Sequence, residues 1–179
     1  MLWTEKYRPS KLSGIIGQEH FVLDAENWVS GPDEPKIMPN VLFYGNSGTG
    51  KTTAGLALAK TLLGKHAIDN FFEINASDDR RLETVRTHIK NIAQSGTIGD
   101  VGFRIILLDE MDGMTTDAQN ALKRIMERYA SNVRFIITCN DKSKIIFALQ
   151  SRCANYHFKI LSNDAMFDAT KEILKRENN

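Results

Sequence analysis

The sequence predicts an α/β fold in which a five-stranded parallel sheet carries helices on both faces. Three observations carry that prediction. Short, nearly unbroken apolar runs alternate with longer amphipathic stretches from Val41 onward; the first run leads straight into a glycine-rich loop ending Gly-Lys-Thr; and the third run ends in two adjacent acids.

Taken in order, residues 1–40 form an N-terminal lead-in with one helix-like stretch, roughly Gln18 to Trp28. It must break at Gly31-Pro32-Asp33-Glu34-Pro35, where two prolines lack the N–H a helix needs. Residues 41–160 hold the apolar runs expected as strands: Val41 to Tyr44, Phe71 to Ile74, Ile105 to Leu108, Phe135 to Thr138 and Tyr156 to Phe158. A parallel strand covered on both sides is apolar at every position, and the amphipathic stretches between the runs are long enough to cross over a sheet. Residues 161–179 open a new polar, helix-prone segment, Ser162 to Lys175, with Ala165, Ala169 and Ile173 at helical spacing. It has no evident partner in the chain and reads as the first helix of a further domain.

The length of 179 residues suits one domain, or one domain and the start of a second. Hydrophobic residues at 42% and charged residues at 25% are ordinary for a globular chain and exclude wholesale disorder. Lys and Arg total 23 against 22 Asp and Glu, so a net charge of +1 gives no strong overall field toward nucleic acid or anionic lipid, and any such surface must be local. No apolar run approaches 18 residues and the start, Met1-Leu2-Trp3-Thr4-Glu5-Lys6, has no secretory core, so an intracellular protein without a membrane partner is expected. Two cysteines, Cys139 and Cys153, cannot supply a four-thiolate zinc site and are expected to be reduced, small and apolar.

The run Val41 to Tyr44 passes directly into Gly45-Asn46-Ser47-Gly48-Thr49-Gly50-Lys51-Thr52, with a helical stretch, Thr53 to Leu63, behind it. Strand, G-x-x-x-x-G-K-T and helix, in that order, make a phosphate-binding loop. Glycines let the backbone curl so that several N–H groups and a helix N-terminus point at one anion. Gly45 through Thr53 are therefore the candidate nucleotide ligands. Lys51 is expected to reach the β and γ phosphates, and the Thr52 hydroxyl to ligate Mg²⁺. A glycine-rich turn that binds nothing is the plainer alternative, and the flanking strand and helix weigh against it.

The third run ends Leu107-Leu108-Asp109-Glu110. Asp109, at the carboxyl edge where open α/β sheets bind ligands, is placed to hold Mg²⁺ through a bound water. Glu110 is then the natural base or orienting group for an attacking water. A kinase passing phosphate to a small molecule has little use for such a Glu, so the pair favours hydrolysis.

Beyond these residues the chain resembles the small subunits of replication factor C, the clamp loader of eukaryotes and archaea, and their phage counterparts, all AAA+ ATPases. The resemblance runs through Trp3-Thr4-Glu5-Lys6-Tyr7-Arg8-Pro9, Ile16-Gly17-Gln18, the phosphate loop, Asn75-Ala76-Ser77-Asp78-Asp79-Arg80, Asp109-Glu110, Thr138-Cys139-Asn140 and Ser151-Arg152-Cys153. It implies ATP and Mg²⁺ as ligands and hydrolysis of ATP as the reaction. It also implies roles that spacing does not give. Asn140 becomes the sensor 1 residue facing the γ phosphate or the lytic water. Tyr7, Arg8, Pro9, Ile16 and Gly17 become the segment enclosing the adenine. Arg152 becomes an arginine finger that reaches the ATP of a neighbouring subunit.

Clamp loaders hold the backbone of primer-template DNA, and the resemblance directs attention to a helix after Asp79. Leu82, Val85, Ile89 and Ile92 fall on its inner face, and Arg86 and Lys90, four apart, share another. Arg80, Arg86 and Lys90 are the implied phosphate contacts. A second helix is expected to open at Thr116, with Thr116 and Gln119 as a capping box and Ala118, Ala121, Leu122, Ile125 and Tyr129 buried; Thr116 and the helix N-terminus are a further candidate DNA contact.

The family pattern continues into a helical lid bearing a second sensor arginine and a collar that joins subunits into a pentamer. The segment 161–179 reads as the start of that lid. The implied partners are other clamp-loader subunits, a sliding clamp and primer-template DNA. Two other readings stay open at this point: a nucleotide-binding AAA+ module with little activity of its own, and a different DNA-acting AAA+ ATPase.

Overall fold

In the computed structural model, which describes residues 2–30, 37–76 and 82–177 (for 82–86 the backbone alone), one sheet organises the chain. The elements in order are α1 (Trp3–Lys6), α2 (Glu19–Ser30), β1 (Val41–Tyr44), α3 (Lys51–Leu63), α4 (Ala67–Asn70), β2 (Phe71–Asn75), α5 (Leu82–Gln94), β3 (Arg104–Asp109), α6 (Thr116–Arg128), β4 (Val133–Cys139), α7 (Phe147–Gln150), β5 (Ala154–His157) and α8 (Asn163–Glu177). The five strands are parallel in the order β2-β3-β4-β1-β5, as expected from their apolar runs. The predicted break at Gly31 to Pro35 lies outside the described residues.

Alternate residues of the three inner strands, β3, β4 and β1, feed two separate cores. Leu42, Ile106, Leu108, Phe135 and Ile137 pack with Ile89, Ile92 and Ala93 of α5 and Leu122, Ile125 and Met126 of α6. Val41, Phe43, Ile105, Leu107 and Ile136 pack on the other face with Phe21 and Ala25 of α2 and Ala54, Leu58, Ala59 and Leu63 of α3. A strand with both faces covered must be apolar throughout, which is why runs rather than alternation marked these strands. Truncating any one of these fully buried leucines to alanine costs about 2–5 kcal/mol.

Several expected boundaries move. The fourth strand begins at Val133 rather than Phe135, and the fifth spans Ala154–His157, with the Phe158 N–H donating to the Tyr44 carbonyl at 2.8 Å. The helix after the glycine-rich loop starts at Lys51, two residues early, because Gly50 takes the left-handed cap position at φ 90°. α6 does start at Thr116, but the capping side chain is Thr115, whose hydroxyl accepts from the Ala118 N–H. Gln119 is buried and turned inward, so the expected Thr116–Gln119 capping box does not form. Of the residues expected inside α6, Ala118, Leu122 and Ile125 are buried together with Met126, whereas Ala121 is half-buried and Tyr129 closes the helix as its C-cap.

The expectation that the last segment lacks a partner is corrected. The half-buried positions of α8, Ala165, Ala169, Ile173 and Glu177, form one stripe. At its far end Glu177 accepts from the Lys6 ammonium at 2.6 Å and from the Tyr7 hydroxyl at 2.7 Å. The partner was the chain's own N-terminal segment, 170 residues away for Tyr7, a separation at which no local pattern announces a contact. No described helix is long and apolar enough to cross a membrane.

Candidate active site

The strand order places β1 between β4 and β5, so the loop leaving its carboxyl end emerges where the direction of winding reverses, the usual ligand position in an open α/β sheet. Gly45 makes the exit possible. Its φ is 142°, and a Cβ there would lie 2.2 Å from the Phe158 carbonyl oxygen, a distance no side chain tolerates. Gly48 and Gly50 also have positive φ, which curls the loop toward the start of α3.

A cavity of about 270 Å³ opens there, lined by the loop residues Ser47, Gly48 and Gly50, by Lys51, Thr52 and Thr53 of α3, and by Asp109, Glu110, Thr138, Cys139 and Asn140 from the ends of β3 and β4. Arg8 completes the rim from the N-terminal segment. Residues far apart in the chain and read separately from the sequence, Lys51, Thr52, Asp109, Glu110 and Asn140, therefore face one space.

The Lys51 side chain is 7% exposed, and its ammonium donates to the Gly45 and Asn46 carbonyls, each at 2.8 Å, and to Asn140 Oδ1 at 3.0 Å. Burial pulls its pKa below the ordinary lysine value, opposed by Cys139, Asp109, Asp112 and Glu110. The Thr52 hydroxyl lies 3.0 Å from both oxygens of Asp109. A hydroxyl and a carboxylate presented side by side are hard oxygen donors of the kind Mg²⁺ takes, and they leave room for waters and phosphate oxygens. The donor set thus fits the metal.

Thr138, to which sequence reasoning gave no role, joins the two acids. It is 1% exposed; its hydroxyl donates to Asp109 Oδ1 and accepts from the Glu110 N–H at 3.1 Å. Glu110 itself has φ 55°, the one non-glycine positive φ among the described residues. Left-handed backbone is disfavoured for a side chain bearing a Cβ, and its occurrence at a cavity wall is typical of positions where side-chain direction matters more than local stability. Below this wall the buried Gln119 amide donates to the Met114 and Lys144 carbonyls and its oxygen accepts from the Ile146 N–H. It thereby ties the turn after Glu110 to the turn after Asn140.

The remaining candidates lie elsewhere. Tyr7, Pro9 and Ile16 line a second cavity, about 740 Å³, between the N-terminal segment and Ala169 and Ile173 of α8; Arg8 borders both cavities. Gly17 packs against Leu161. Arg152 is on the surface, paired with Glu127 and donating to the Ala148 carbonyl at 2.6 Å, and does not line the first cavity. Lys90 is exposed on α5 and Thr116 is exposed at the start of α6. Arg80 lies outside the described residues, and for Arg86 only the backbone is described.

Both cysteines are unpaired, and burial raises each thiol to about 12.

Residues 41–160 match the family model described as ATPase family associated with various cellular activities. The chain is 47% identical over 176 residues to the replication factor C small subunit of Methanococcus maripaludis, covering 98% of this chain and 55% of that protein. It is 49% identical over 176 residues to the same-named protein of Methanothermobacter thermautotrophicus, covering 98% and 53%. The chain thus spans about half the length of these relatives. Among solved structures, the RuvB Holliday junction branch migration motor of Thermotoga maritima superposes with a TM-score of 0.71 at 20% identity, covering 95% of this chain and 53% of that one. A DNA polymerase III gamma subunit-related protein of the same organism gives 0.62 at 13% identity over 82% and 47%. At such identities the likeness is one of fold.

Proposed function

The chain belongs to the AAA ATPase family, and on that premise we propose that it is the ATPase-bearing part of a clamp-loader subunit, binding and hydrolysing ATP to help place a sliding clamp on primer-template DNA. The observation that carries the ATPase reading is the convergence of Lys51, Thr52, Asp109, Glu110 and Asn140 on one cavity. The clamp-loader assignment rests on 45–49% identity to replication factor C small subunits over nearly the whole chain. The implied partners are the other subunits of a pentameric ring, the clamp and the DNA.

The chain's residues divide the work as follows. The backbone N–H groups of Gly45 through Thr53 cradle the phosphates at the start of α3. Lys51 exchanges its loop carbonyls for β and γ phosphate oxygens, a charge-assisted contact that offsets its burial. Thr52 and Asp109 are the residues that would hold Mg²⁺, which when bound would supply neutralisation of the charge developing on the phosphates. Glu110 orients the attacking water and accepts its proton, held in place by the bond from its N–H to Thr138. Asn140 gives up Lys51 to face the γ phosphate. Tyr7, Arg8, Pro9, Ile16 and Gly17 form the adenine side, with α8 as the opposite wall.

Arg152 serves a neighbouring subunit. Its pairing with Glu127 is an exposed ion pair of little strength and is readily exchanged for a phosphate. Arg152 does not line the chain's own phosphate cavity, which fits a finger that acts in trans. DNA backbone contacts fall to Arg80, Arg86, Lys90 and Thr116. The test is ATP turnover with and without primer-template DNA across a range of protein concentration. Specific activity that rises with concentration and with DNA supports the reading; equal, concentration-independent turnover by a proven monomer contradicts it.

A further inference from the structure

One buried polar side chain outside the phosphate cavity has both of its functional atoms committed to a single residue far along the chain. Gln18 is 1% exposed. Its Nε2 donates to the Lys159 carbonyl at 2.9 Å and its Oε1 accepts from the Lys159 N–H at 3.3 Å, so the amide pairs with that backbone as a neighbouring strand would. Gln18 also begins α2, its own carbonyl accepting from the Phe21 and Val22 N–H groups at 3.0 and 3.1 Å.

Four pieces of chain therefore meet at this residue. Upstream is the turn Ile16–Gly17, with Ile16 on the wall of the 740 Å³ cavity and Gly17 at φ 72° so close to Leu161 that a Cβ would lie 2.4 Å from Leu161 Cδ2. Downstream is the body of α2. Across from it the chain leaves β5, still bound to β1 through Phe158, and two residues past Leu161 it becomes α8, the opposite wall of the same cavity. Lys159 and Ile160 are themselves exposed, and the Gln18 amide and the Leu161 contact hold the segment against the body.

We propose that Gln18 is a positioning residue that ties the base-side turn Ile16–Gly17 to the root of α8, so that occupancy of the cavity and placement of α8 are coupled through the Lys159 backbone. The inference rests on the reading of that cavity as the adenosine side of the nucleotide site. A residue that acts in this way influences ligands that span both cavities and leaves alone those that fill the phosphate cavity. Because Lys159 is exposed, its N–H and carbonyl turn to water when the amide is removed, and the variant is expected to fold.

The test compares two probes, ATP and inorganic tripolyphosphate, each with magnesium, on the parent, Gln18→Ala and Leu161→Ala. The expected result for both variants is a loss of ATP affinity of about tenfold with tripolyphosphate affinity changed by less than about twofold, the size of an ordinary coupling between sites. Hydrogen exchange gives a second readout: ATP slows the Lys159 and Leu161 amides in the parent and fails to do so in Gln18→Ala, while the Phe158 amide is unchanged. Equal ATP affinity in parent and variants overturns the proposal. So does a parallel loss for both probes, which marks a merely structural residue. If Gln18→Ala does not fold, Leu161→Ala decides on the same scale. A parent that binds neither probe overturns the nucleotide reading itself, and the coupling with it.

Discussion

The Lys51 ammonium donates to Asn140 Oδ1 across 3.0 Å, joining the first residue of α3 to the residue that follows β4. With the Gly45 and Asn46 carbonyls this bond uses all three N–H groups of the ammonium. In the proposed function phosphate oxygens compete for these N–H groups, and an Asn140 amide released from Lys51 would face the γ phosphate. Asn140→Ala is expected to lower ATP turnover by about 10–100-fold, because it removes a group aimed at charge that develops in the transition state. ATP affinity should change by less than about threefold, since the ammonium keeps its phosphate contacts. Equilibrium binding and single-turnover hydrolysis, measured together, check the split.

Thr115, not Thr116, caps α6. Thr115→Ala should cost about 1 kcal/mol of unfolding free energy and Thr116→Ala close to nothing. Urea denaturation of the two variants beside the parent separates them.

The buried Cys139 thiol gives a pH dependence with a definite sign. Burial raises its pKa from 9.0 to about 12. Between those values the unfolded chain has released the thiol proton and the folded chain retains it, so stability falls as pH rises from 9 toward 12. Relative to Cys139→Ala, the parent should lose up to about 1.4 kcal/mol per pH unit above 9. Lys51, held below its ordinary value, contributes with the opposite sign, its burden easing as pH rises toward 10.5; because Cys139 and Lys51 act on each other, the comparison reads the thiol together with its effect on Lys51. Urea midpoints at pH 8, 9 and 10 are the measurement.

The DNA reading predicts a salt effect. Replacing Arg86 and Lys90 together by alanine should flatten the plot of log K against log salt for the assembled complex by about two units per participating subunit and weaken all DNA sequences alike. Titrations at several salt concentrations on two unrelated duplexes check both statements, with nucleotide affinity unchanged as the control.

What was legible in the sequence follows from what is local. The strands could be read because a doubly covered strand is apolar at each position, and the phosphate loop because its glycines, lysine and threonine lie within eight residues. Asp109 and Glu110 could be read because they end such a strand, whereas the role of Asn140 came only with the family resemblance. The supporting polar groups could not. Gln119 stands three residues from Thr116 and so mimics a capping box, but its amide is turned into the protein toward Lys144 and Ile146, partners about 25 residues on. Thr138 is one more β-branched residue in a strand until the fold brings Asp109 beside it. Gln18 and Lys159 are 141 positions apart, and Lys6 and Glu177 are 171 apart. Single polar side chains that bond across such distances leave no periodicity to detect, which is why α8 seemed from its sequence to lack a partner.

The most direct test of the central claim, that this cavity hydrolyses ATP with Glu110 as its base, is to measure ATP affinity and turnover for Glu110→Gln and the parent in the same assembled complex. The glutamine keeps the size of the side chain and the φ of 55°, and removes the proton acceptor. Turnover reduced about 100-fold or more with ATP affinity within about threefold is the predicted result. Equal turnover, or an affinity loss as large as the loss in turnover, would contradict it.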